Sequence, residues 1–356
     1  MIKVAIDIGP LETGHAVRGV GAYTKSLVEA FGKLKIKNEK LKIDAFNFKT
    51  QNSKLKTQNY DLIHYPHFDL FFLTLPWRKP IKTIVTIHDV IPLVFPKHYP
   101  SGIRGKIKFL IQKSSLKSAS AVITDSQNSK RDIVEYLGFP EEKIYVVSLA
   151  PSGVFKPEKS TSLLHRIKVK YKLPEEFILY VGDVNWNKNI PGLLRAFYKL
   201  KTPSQKLKLV FVGKAFLDES LPEVCEILQL IKVLKLEDRV IRLGWIPEED
   251  LVKIYNLAQV YCQPSFYEGF GLPVLEAMAC GCPVVASKTS SLPEICGEGA
   301  LMVNPNKTEK MVEALERAIV NTKARDALIR KGFEQVKKFS WEKTAKETMD
   351  VYKKVA

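Results

Sequence analysis

The 356-residue sequence contains no apolar run of the roughly 18 residues that a transmembrane helix needs. Its N-terminus, MIKVAIDIGP, reaches Asp7 after a short apolar stretch, which favours a buried first strand over a signal peptide. We therefore expect a cytoplasmic protein. The apolar content of 46% and the charged content of 26% are those of an ordinary globular protein. At this length, two hydrophobic cores are expected rather than one.

The sequence is also poor in cysteine, with an odd total of five. Cys280 and Cys282 are close enough in sequence to suggest a metal clip, but no histidine follows them at zinc spacing. Most of the cysteines lie in apolar segments. We therefore expect buried free thiols, which agrees with a cytoplasmic location.

Acidic residues are few relative to basic ones: 38 against 55, for a net charge of +17. Such an excess attracts polyanions such as nucleic acid, anionic membranes or phosphorylated ligands, although solvated lysine faces would also explain it. The sequence has neither a long basic tail nor zinc-finger spacing. These two absences argue against nucleic-acid binding as the main function.

Short apolar runs alternate with helical patterns along almost the whole chain. The strand-like runs are KVAIDI, DLIHY, TIVTIHDV, SAVITDS and IYVVSLA in the first part, and FILYVGDV, KLVFVG, RVIRLGWI, QVYCQPS and CPVVAS in the second. Continuous Val/Ile-rich runs separated by helices predict parallel sheets covered on both faces. Two such series predict an α/β protein with two Rossmann-like, doubly wound domains facing across a cleft.

The domain boundary is expected between residues 152 and 177, where proline, serine and charge replace the strand pattern. We place the first domain at residues 1–165 and the second at 166–338. Residues 339–356 are expected to form a last helix that could pack back on the first domain. The polar segment 49–59, in which Lys-Thr-Gln-Asn occurs twice, is expected to be an exposed loop without chemistry.

One stretch, SFYEGFGLPVLEAMACGCPVVAS, is predicted to form a turn between a strand and a helix. Gly269, Phe270 and Gly271 lead directly into the helix, and Pro273 lies near its first position, where proline is favoured. The unpaired N–H groups and the positive dipole at a helix N-terminus bind anions. Glycine also lets the backbone approach a phosphate closely. The stretch therefore predicts a phosphate site.

Two acids flank this turn: Glu268 precedes it, and Glu276 follows one helical turn into the helix. Carboxylates are poor neighbours of phosphate but good partners of hydroxyl groups. A nucleotide sugar has a matching layout, with ribose, diphosphate and hexose in a row. The alternative is that Glu276 complements the helix dipole and Glu268 is a solvated loop acid. Composition alone does not separate these two interpretations.

The segment YEGFGLPVLEAMACGCPVVAS resembles the acid–seven–acid motif of retaining, nucleotide-sugar-dependent glycosyltransferases of family four, which have the GT-B architecture. Further segments resemble the same family: GVGAYTKSL, TIHDVIPLVFP, TDSQNSKRDIVEYLG, VGDVNWNKNIPGLLRAF and VIRLGWIPEEDLVKIYNLA. The resemblance covers nearly the full chain. It implies a hexosyltransferase whose second domain holds the nucleotide sugar and whose first domain holds a glycan or lipid-linked acceptor.

The resemblance implies three catalytic residues: Glu268 for the hexose hydroxyls, Lys188 for the diphosphate and His88 for the transferred sugar. It also implies that Glu276 binds the ribose. The other donor-side candidates are Gly21, Lys214, Trp245, Ile246, Gly269, Phe270, Gly271 and Leu272. The acceptor-side candidates are Gly19, His64, His67 and Asp89. His64 and His67 could equally be packing residues, and Trp245 and Ile246 could either flank the base or pack in the core.

The sequence departs from the family at the phosphate site. The family usually adds an arginine near the lysine, whereas Asp183 and Asn187 stand at the two places where it would occur. Neutralisation of the phosphate therefore depends on Lys188 and the helix N-terminus, with Lys214 as a possible helper. No Asp-x-Asp triplet occurs to supply oxygen ligands for a divalent ion. Because a helix dipole and a lysine can do the same electrostatic work, we predict no metal and no other cofactor.

The segment TIHDVIPLVFP most resembles the mannosyltransferase branch that builds surface polysaccharides, so GDP-mannose is the expected donor. A UDP-sugar, used for glucosyl or N-acetylhexosaminyl transfer, is the alternative within the family. A GT-B-fold sugar-nucleotide epimerase would share the cleft and would need no acceptor. A non-catalytic nucleic-acid-binding protein is a third possibility, against which the intact pair of acids argues.

The stretch SGIRGKIKFLIQKSSLKSAS predicts an amphipathic helix. Its apolar stripe comprises Ile103, Ile107, Leu110 and Ile111. Basic residues surround that stripe: Arg104, Lys106, Lys108, Lys113 and Lys117. The helix could lie on an anionic membrane surface, which would make the protein peripheral at the inner face of the membrane. The alternative is an ordinary helix that covers the first sheet with its apolar face.

Overall fold

The computed structural model describes residues 1–12, 19–35, 41–47, 59–201 and 206–356. Of the repeated polar segment 49–59, all but Asn59 lies outside the described residues. The chain forms two compact units. The first unit combines Met1–Ala150 with Phe339–Ala356, and the second unit is Pro151–Lys338.

The first unit is built on a parallel sheet with the strand order β2-β1-β3-β4-β5-β6. A π-helical turn, Ile133–Leu137, follows its helix α4 directly. The elements are, in chain order, β1 (Ile2–Asp7), α1 (Gly19–Lys35), β2 (Leu41–Phe46), β3 (Leu62–Tyr65), β4 (Lys82–Thr86), α2 (Ile91–Val94), α3 (Gly102–Leu116), β5 (Ala121–Thr124), α4 (Gln127–Asp132) and β6 (Ile144–Val146).

The second unit is built on a second parallel sheet with the order β12-β11-β10-β7-β8-β9. Its elements are α5 (Thr161–Lys170), β7 (Phe177–Val181), α6 (Ile190–Lys199), β8 (Lys208–Val212), α7 (Pro222–Val233), β9 (Val240–Leu243), α8 (Glu248–Leu257), β10 (Val260–Gln263), α9 (Leu272–Ala279), β11 (Val284–Ser287), α10 (Leu292–Cys296), β12 (Ala300–Val303), α11 (Thr308–Val320) and α12 (Thr322–Val336).

The central strands are apolar because helices cover both faces of each sheet. In β1, the consecutive residues Val4, Ala5 and Ile6 are all buried, and β3, β5, β10 and β11 are buried along their whole length. A strand with one solvated face would instead alternate apolar and polar residues. The predicted pair of doubly covered parallel sheets is therefore confirmed.

The strand order of the second sheet fixes where a ligand would bind. From the central β7 the chain runs outward through β8 and β9, and then returns to β10 on the other side of β7. In such sheets, ligands bind at the carboxyl ends of the two strands on either side of this reversal. The loops after β7 and β10 are therefore the expected place for a site.

The first unit is completed by the last helix, α13 (Trp341–Val355), which packs against α1. The chain leaves the first unit after Ala150, earlier than the boundary at residues 165 and 166 that we expected. The reason is that α5 belongs to the second unit, where it packs against α8 and where Lys170 and Tyr171 both bond to Asp250.

No helix in the described part of the chain is both long and apolar enough to cross a membrane.

Candidate active site

The loop after β7 carries Lys188 at the end of a short 3-10 turn. The next residue, Asn189, has a left-handed φ of 53° and caps α6 by accepting the N–H of Gly192 at 3.2 Å. Its side-chain amide also donates to the carbonyl of Pro264 at 3.0 Å. Because Pro264 follows β10, Asn189 fastens the lysine loop to the loop after β10.

Three further contacts join these loops. Asn187 donates from its side chain to the carbonyl of Tyr267 at 2.8 Å, and its own carbonyl accepts the N–H of Phe266 at 2.7 Å. The rings of Trp186 and Phe266 stack with centroids 4.9 Å apart. The loop after β7 and the loop after β10 are therefore held together at the point where the strand order reverses.

Lys188 and Glu268 form a bidentate ion pair at this point. The Lys188 Nζ lies 2.9 Å and 2.8 Å from the two carboxylate oxygens of Glu268. Oε1 also accepts from Gln263 at 2.8 Å and from Ser265 at 2.6 Å. Within the described part of the chain, Oε2 of Glu268 accepts a hydrogen bond only from Lys188. Since a carboxylate oxygen has two lone pairs, Oε2 can still accept a hydroxyl group.

Two serines after β11 hold the turn that follows Glu268. The Ser290 hydroxyl accepts the N–H of Glu268 at 2.8 Å, and Ser290 itself has a left-handed φ of 52°. The Ser291 hydroxyl lies 2.9 Å from the carbonyl oxygen of Glu268 and 2.8 Å from that of Phe270. These bonds engage carbonyl groups of the turn and fix its backbone in front of α9.

Helix α9 begins where the sequence predicted. Gly271 precedes its first residue, Leu272, with a left-handed φ of 106°, which a side chain rarely adopts. A Cβ at Gly271 would also lie 2.7 Å from the Leu292 side chain. Pro273 lies in the first turn. The helix N-terminus therefore follows directly on the turn that carries Glu268, as an anion site requires.

Glu276 lies on α9 and accepts a hydrogen bond from the Tyr255 hydroxyl at 2.9 Å. Burial raises the pKa of its carboxyl to about 7; the negative charge of Glu248 adds to this rise, and the bond from Tyr255 opposes it. Glu276 is therefore a carboxyl group that changes charge near neutral pH.

The other donor-side candidates follow the next two strands along the same edge. Lys214 is exposed at the start of a 3-10 turn after β8. Trp245 and Ile246 follow β9, and Trp245 is 60% exposed whereas Ile246 is buried. Core packing therefore does not account for Trp245, although it does for Ile246. The carboxyl ends of β7, β8, β9 and β10 thus all carry candidate residues.

In the first unit, His88 lies just after β4 and Asp125 just after the neighbouring β5. The His88 Nδ1 and a carboxylate oxygen of Asp125 are 2.7 Å apart. The Ser129 hydroxyl donates to the His88 carbonyl at 2.9 Å, and the Tyr23 ring meets the imidazole edge-on at 4.8 Å. Burial disfavours protonation of His88, but Asp125 outweighs it and raises the pKa of the imidazole.

The acceptor-side candidates occupy different environments. His64 is fully buried in β3, with Nδ1 2.7 Å from the Tyr352 hydroxyl and Nε2 2.8 Å from the Thr86 hydroxyl. Burial lowers the pKa of His64 to about 3, so it stays neutral and serves packing. His67 is partly buried after β3, and the Asp89 carboxylate accepts the N–H of Ile91, the first residue of α2, at 3.1 Å.

Gly19 and Gly21 lie in the first described turn of α1, where Gly19 is exposed and Gly21 is buried. Residues 13–18, which precede them, lie outside the described residues. The contribution of this segment to a site stays a prediction.

Sequence reasoning missed the side chains that hold the candidate residues in place. Asp125 stands in the quoted segment TDSQNSKRDIVEYLG, yet its pairing with His88 depends on two strands being neighbours. Ser290 and Ser291 follow β11, and a pair of hydroxyl residues after a buried strand was the available signal. Gln263 and Ser265 resemble ordinary strand-end residues and gave no signal.

The described residues contain no group of three His, Cys, Asp or Glu side chains arranged to hold a metal ion. Cys280 and Cys282 are buried and not in disulfides, and burial raises the pKa of the Cys282 thiol to about 12. The prediction of buried free thiols is confirmed for these two residues.

Comparison with known proteins agrees with this architecture. Residues 17–150 match the family Glycosyltransferase Family 4, and residues 164–335 match Glycosyl transferases group 1. The O-antigen chain mannosyltransferase B of Escherichia coli is 32% identical over 297 residues, which cover 82% of this chain and 74% of that protein. The chain belongs to the family-four glycosyltransferases. The resemblance seen in the sequence is thus confirmed.

Two solved structures share the whole fold. Sucrose-phosphate synthase from Thermosynechococcus elongatus matches 100% of this chain and 99% of its own, with a TM-score of 0.76 and 20% identity. HepE of Anabaena, solved in complex with UDP-glucose, matches 99% of this chain and 100% of its own, with a TM-score of 0.76 and 17% identity. At these identities the likeness establishes the fold, and this glycosyltransferase has the GT-B fold.

Proposed function

We propose that this glycosyltransferase is a retaining enzyme that moves mannose from GDP-mannose to a glycan or lipid-linked acceptor. The contact between Lys188 and Glu268 at the reversal of the second sheet carries the proposal. It places a cation suited to a diphosphate beside a carboxylate suited to sugar hydroxyls. The mannosyl assignment is supported by the O-antigen chain mannosyltransferase B and by the segment TIHDVIPLVFP.

In this proposal the diphosphate lies against the backbone N–H groups from Gly269 to Leu272, and Lys188 and Lys214 supply positive charge. A hexose hydroxyl bonds to Oε2 of Glu268, and the ribose hydroxyls bond to Glu276. Exposed Trp245 is available to flank the base, and the buried Ile246 is the next residue along the chain. Because these positive groups can offset the charge of the leaving diphosphate, we propose that the enzyme needs no metal ion.

The reaction requires one bond to break and one to form on the same face of the sugar. The bond from the anomeric carbon to the leaving phosphate oxygen breaks, and the acceptor oxygen bonds to that carbon. The acceptor's proton passes to the leaving phosphate oxygen, so the configuration is retained without a separate protein base. Lys188 stabilises the charge that develops on the diphosphate. His88 keeps its predicted role toward the transferred sugar, with Asp125 holding its ring.

A UDP-sugar is the second candidate donor. It is supported by HepE, a protein of the same fold that was solved with UDP-glucose. An epimerase of this fold would differ in its product, because it would release an altered free sugar in the absence of any acceptor.

A thermal-shift panel of GDP-mannose, GDP, UDP-glucose and UDP-N-acetylglucosamine tests the proposal. We expect GDP-mannose to raise the Tm most, because a ligand that binds only the folded state stabilises it. The increase in Tm caused by GDP-mannose should persist in EDTA. It should be lost in Lys188→Ala and become smaller in Glu276→Ala. The surface variant Glu226→Ala is the control and should show the same increase as the wild type.

Other outcomes would change the assignment. A larger rise with UDP-glucose would establish the second candidate donor. A full rise in Glu276→Ala would contradict the ribose role, and loss of the rise in EDTA with recovery in magnesium would contradict metal independence. No rise with any nucleotide sugar would contradict the proposed function itself.

A further inference from the structure

Helix α3 turns its apolar side chains away from the first unit. At about 100° per residue, the side that faces solvent lies roughly opposite the side that faces the protein. The buried residues are Gly105, Gln112, Ser115 and Leu116. The most exposed apolar residues are Ile103 (79%), Leu110 (65%) and Ile107 (54%). The alternative drawn from the sequence, in which the apolar stripe covers the sheet, is therefore wrong.

The inward side of α3 is held by polar contacts to the preceding segment 69–79. Gln112 donates to the Thr74 hydroxyl at 2.7 Å and accepts the N–H of Leu75 at 3.3 Å. Ser115 donates to the carbonyl of Pro76 at 2.8 Å. These buried polar contacts fix which side of the helix faces solvent. The exposure of the apolar stripe is therefore determined by the packing of α3.

The same segment brings three more apolar side chains to the surface. Phe72 is 64% exposed, Leu73 53% and Trp77 62%. The Lys108 Nζ lies 5.0 Å from the centre of the Phe72 ring, which places Phe72 beside α3. Trp77 follows Pro76, which is bonded to Ser115 of α3. We call these residues the apolar patch: Phe72, Leu73, Trp77, Ile103, Ile107 and Leu110.

Basic residues flank the apolar patch, and α3 itself contains no acidic residue. Lys106 and Lys117 lie along one flank of the stripe, and Arg104 and Lys108 lie along the other, at about 100° per residue. Lys113 also lies on the first flank, but its ammonium donates to the carbonyl of Tyr136 at 2.9 Å. Lysine and arginine in such positions lay their aliphatic stems on apolar surface and extend their charges outward. The arrangement is that of a helix lying in the plane of a membrane interface.

We propose that the apolar patch and its basic flanks form a surface that docks on a membrane containing anionic lipid. The apolar side chains would enter the boundary between headgroups and acyl chains, and the bases would bind lipid phosphates. Charge favours this partner over a second copy of the chain, because a second copy would bring the same positive flanks face to face. The inference lies within the first unit and does not depend on the donor or the reaction.

Vesicle sedimentation tests the proposal with two lipid compositions: phosphatidylcholine alone, and equal parts phosphatidylcholine and phosphatidylglycerol. We expect the protein to sediment with the anionic vesicles, and the binding to weaken with salt as surface charges are screened. The triple variant Ile103→Ser, Ile107→Ser, Leu110→Ser should bind at least about tenfold more weakly, because it removes most of the inserted apolar area of α3.

Matched controls separate the apolar patch from general surface changes. Val169, Val233 and Val320 of the second unit are 63%, 68% and 54% exposed, and their triple serine variant should bind like the wild type. Reversing charge at Arg104, Lys106 and Lys117 to glutamate should weaken binding by at least about tenfold, since each base near an anionic surface contributes. The same reversal at exposed Lys232, Lys307 and Lys323 should weaken it less.

Equal recovery in the supernatant with both lipids, or unchanged binding by the patch triple variant, would overturn the proposal. Light scattering adds a second test: if that variant converts a dimer to a monomer and the wild type ignores vesicles, the apolar patch joins two copies instead. The nucleotide-sugar thermal shift should be the same in the patch variant and the wild type. Loss of membrane binding is thereby distinguished from failure of the proposed reaction.

Discussion

Glu276 is held in a position where its charge is costly. Burial raises the pKa of its carboxyl from an ordinary 4.5 to about 7, although Tyr255 donates a hydrogen bond to it. The folded protein therefore binds this proton more tightly than the unfolded chain does. The stability contributed by Glu276 is lost as the pH rises from about 4.5 to about 7, and the loss is complete above that range. The position proposed to bind the ribose is thus kept at the expense of stability.

Glu276→Gln should remove this pH dependence, because an amide cannot ionise. We expect the free energy of unfolding of the variant, relative to the wild type, to increase by about 2 kcal/mol between about pH 5 and about pH 8. Urea unfolding of the ligand-free protein at both pH values measures the difference. The surface variant Glu226→Gln serves as control and should show no such trend. A constant difference across the range would show that Glu276 is ionised at both pH values.

Asp183 and Asn187 explain how the loop is built without the arginine that the family usually has. The Asp183 carboxylate accepts the N–H of Val184 at 2.8 Å, and its carbonyl accepts the Tyr180 hydroxyl at 2.7 Å. Asn187 bonds to the loop after β10. Both side chains shape the loop, and the cation of this loop that contacts Glu268 is Lys188.

At the scale of elements, strands β7 and β8 end unusually close together. Gly182 donates its N–H to the carbonyl of Val212 at 3.0 Å, and the following Gly213 approaches the backbone of Gly182. A Cβ at Gly213 would lie 2.0 Å from the Gly182 carbonyl oxygen, which is backbone and cannot rotate away. This close approach brings the loops carrying Lys188 and Lys214 to the same edge.

Gly213→Ala should therefore destabilise the second unit by about 2 kcal/mol or more, because the two strand ends must separate. Gly32 is the matched control: it lies inside α1, and a Cβ there would meet nothing within 4 Å. Gly32→Ala should stabilise the protein by about 0.5 to 1 kcal/mol, since alanine favours helix interiors. Thermal unfolding of both variants measures whether each one lowers or raises the Tm. Equal changes in the two variants would contradict a close contact at Gly213.

At the scale of the whole molecule, the end of the chain completes the first unit. Tyr352 on α13 is fully buried and bonds to His64, which in turn bonds to Thr86. Thr86 also lies 3.1 Å from the Tyr23 hydroxyl, and the Tyr23 ring contacts His88. A chain of buried polar contacts thus connects the last helix to the surroundings of His88.

Tyr352→Phe should cost about 1 to 2 kcal/mol, because it leaves the buried His64 Nδ1 without its partner. Tyr352→Ala should cost about 3 to 5 kcal/mol, since it also opens a cavity beside Phe31. Tyr198, which is 55% exposed, provides the control Tyr198→Ala with a much smaller effect. Denaturant unfolding monitored separately for the two units measures these costs. Equal costs for Tyr352→Phe and Tyr198→Ala would show that the bond between Tyr352 and His64 contributes little to stability.

The sequence pattern located ten strands, all of which are present, but it missed β2 and β12. Both are edge strands. In β2, LKIDAF, two residues are exposed and two are partly buried, and in β12 three of the four are only partly buried. An edge strand does not need a continuous apolar run. The other two edge strands, β6 and β9, nevertheless carry such runs and were located.

The sequence by itself determined the two parallel sheets, the glycine turn before α9 and the family, because each depends on residues close together in the chain. Only the tertiary structure decided which side chains meet: Lys188 with Glu268, His88 with Asp125 and Tyr352 with His64. It also decided that the apolar stripe of α3 faces outward. These outcomes depend on strand order and on how elements pack, which the spacing of residues within one segment does not specify.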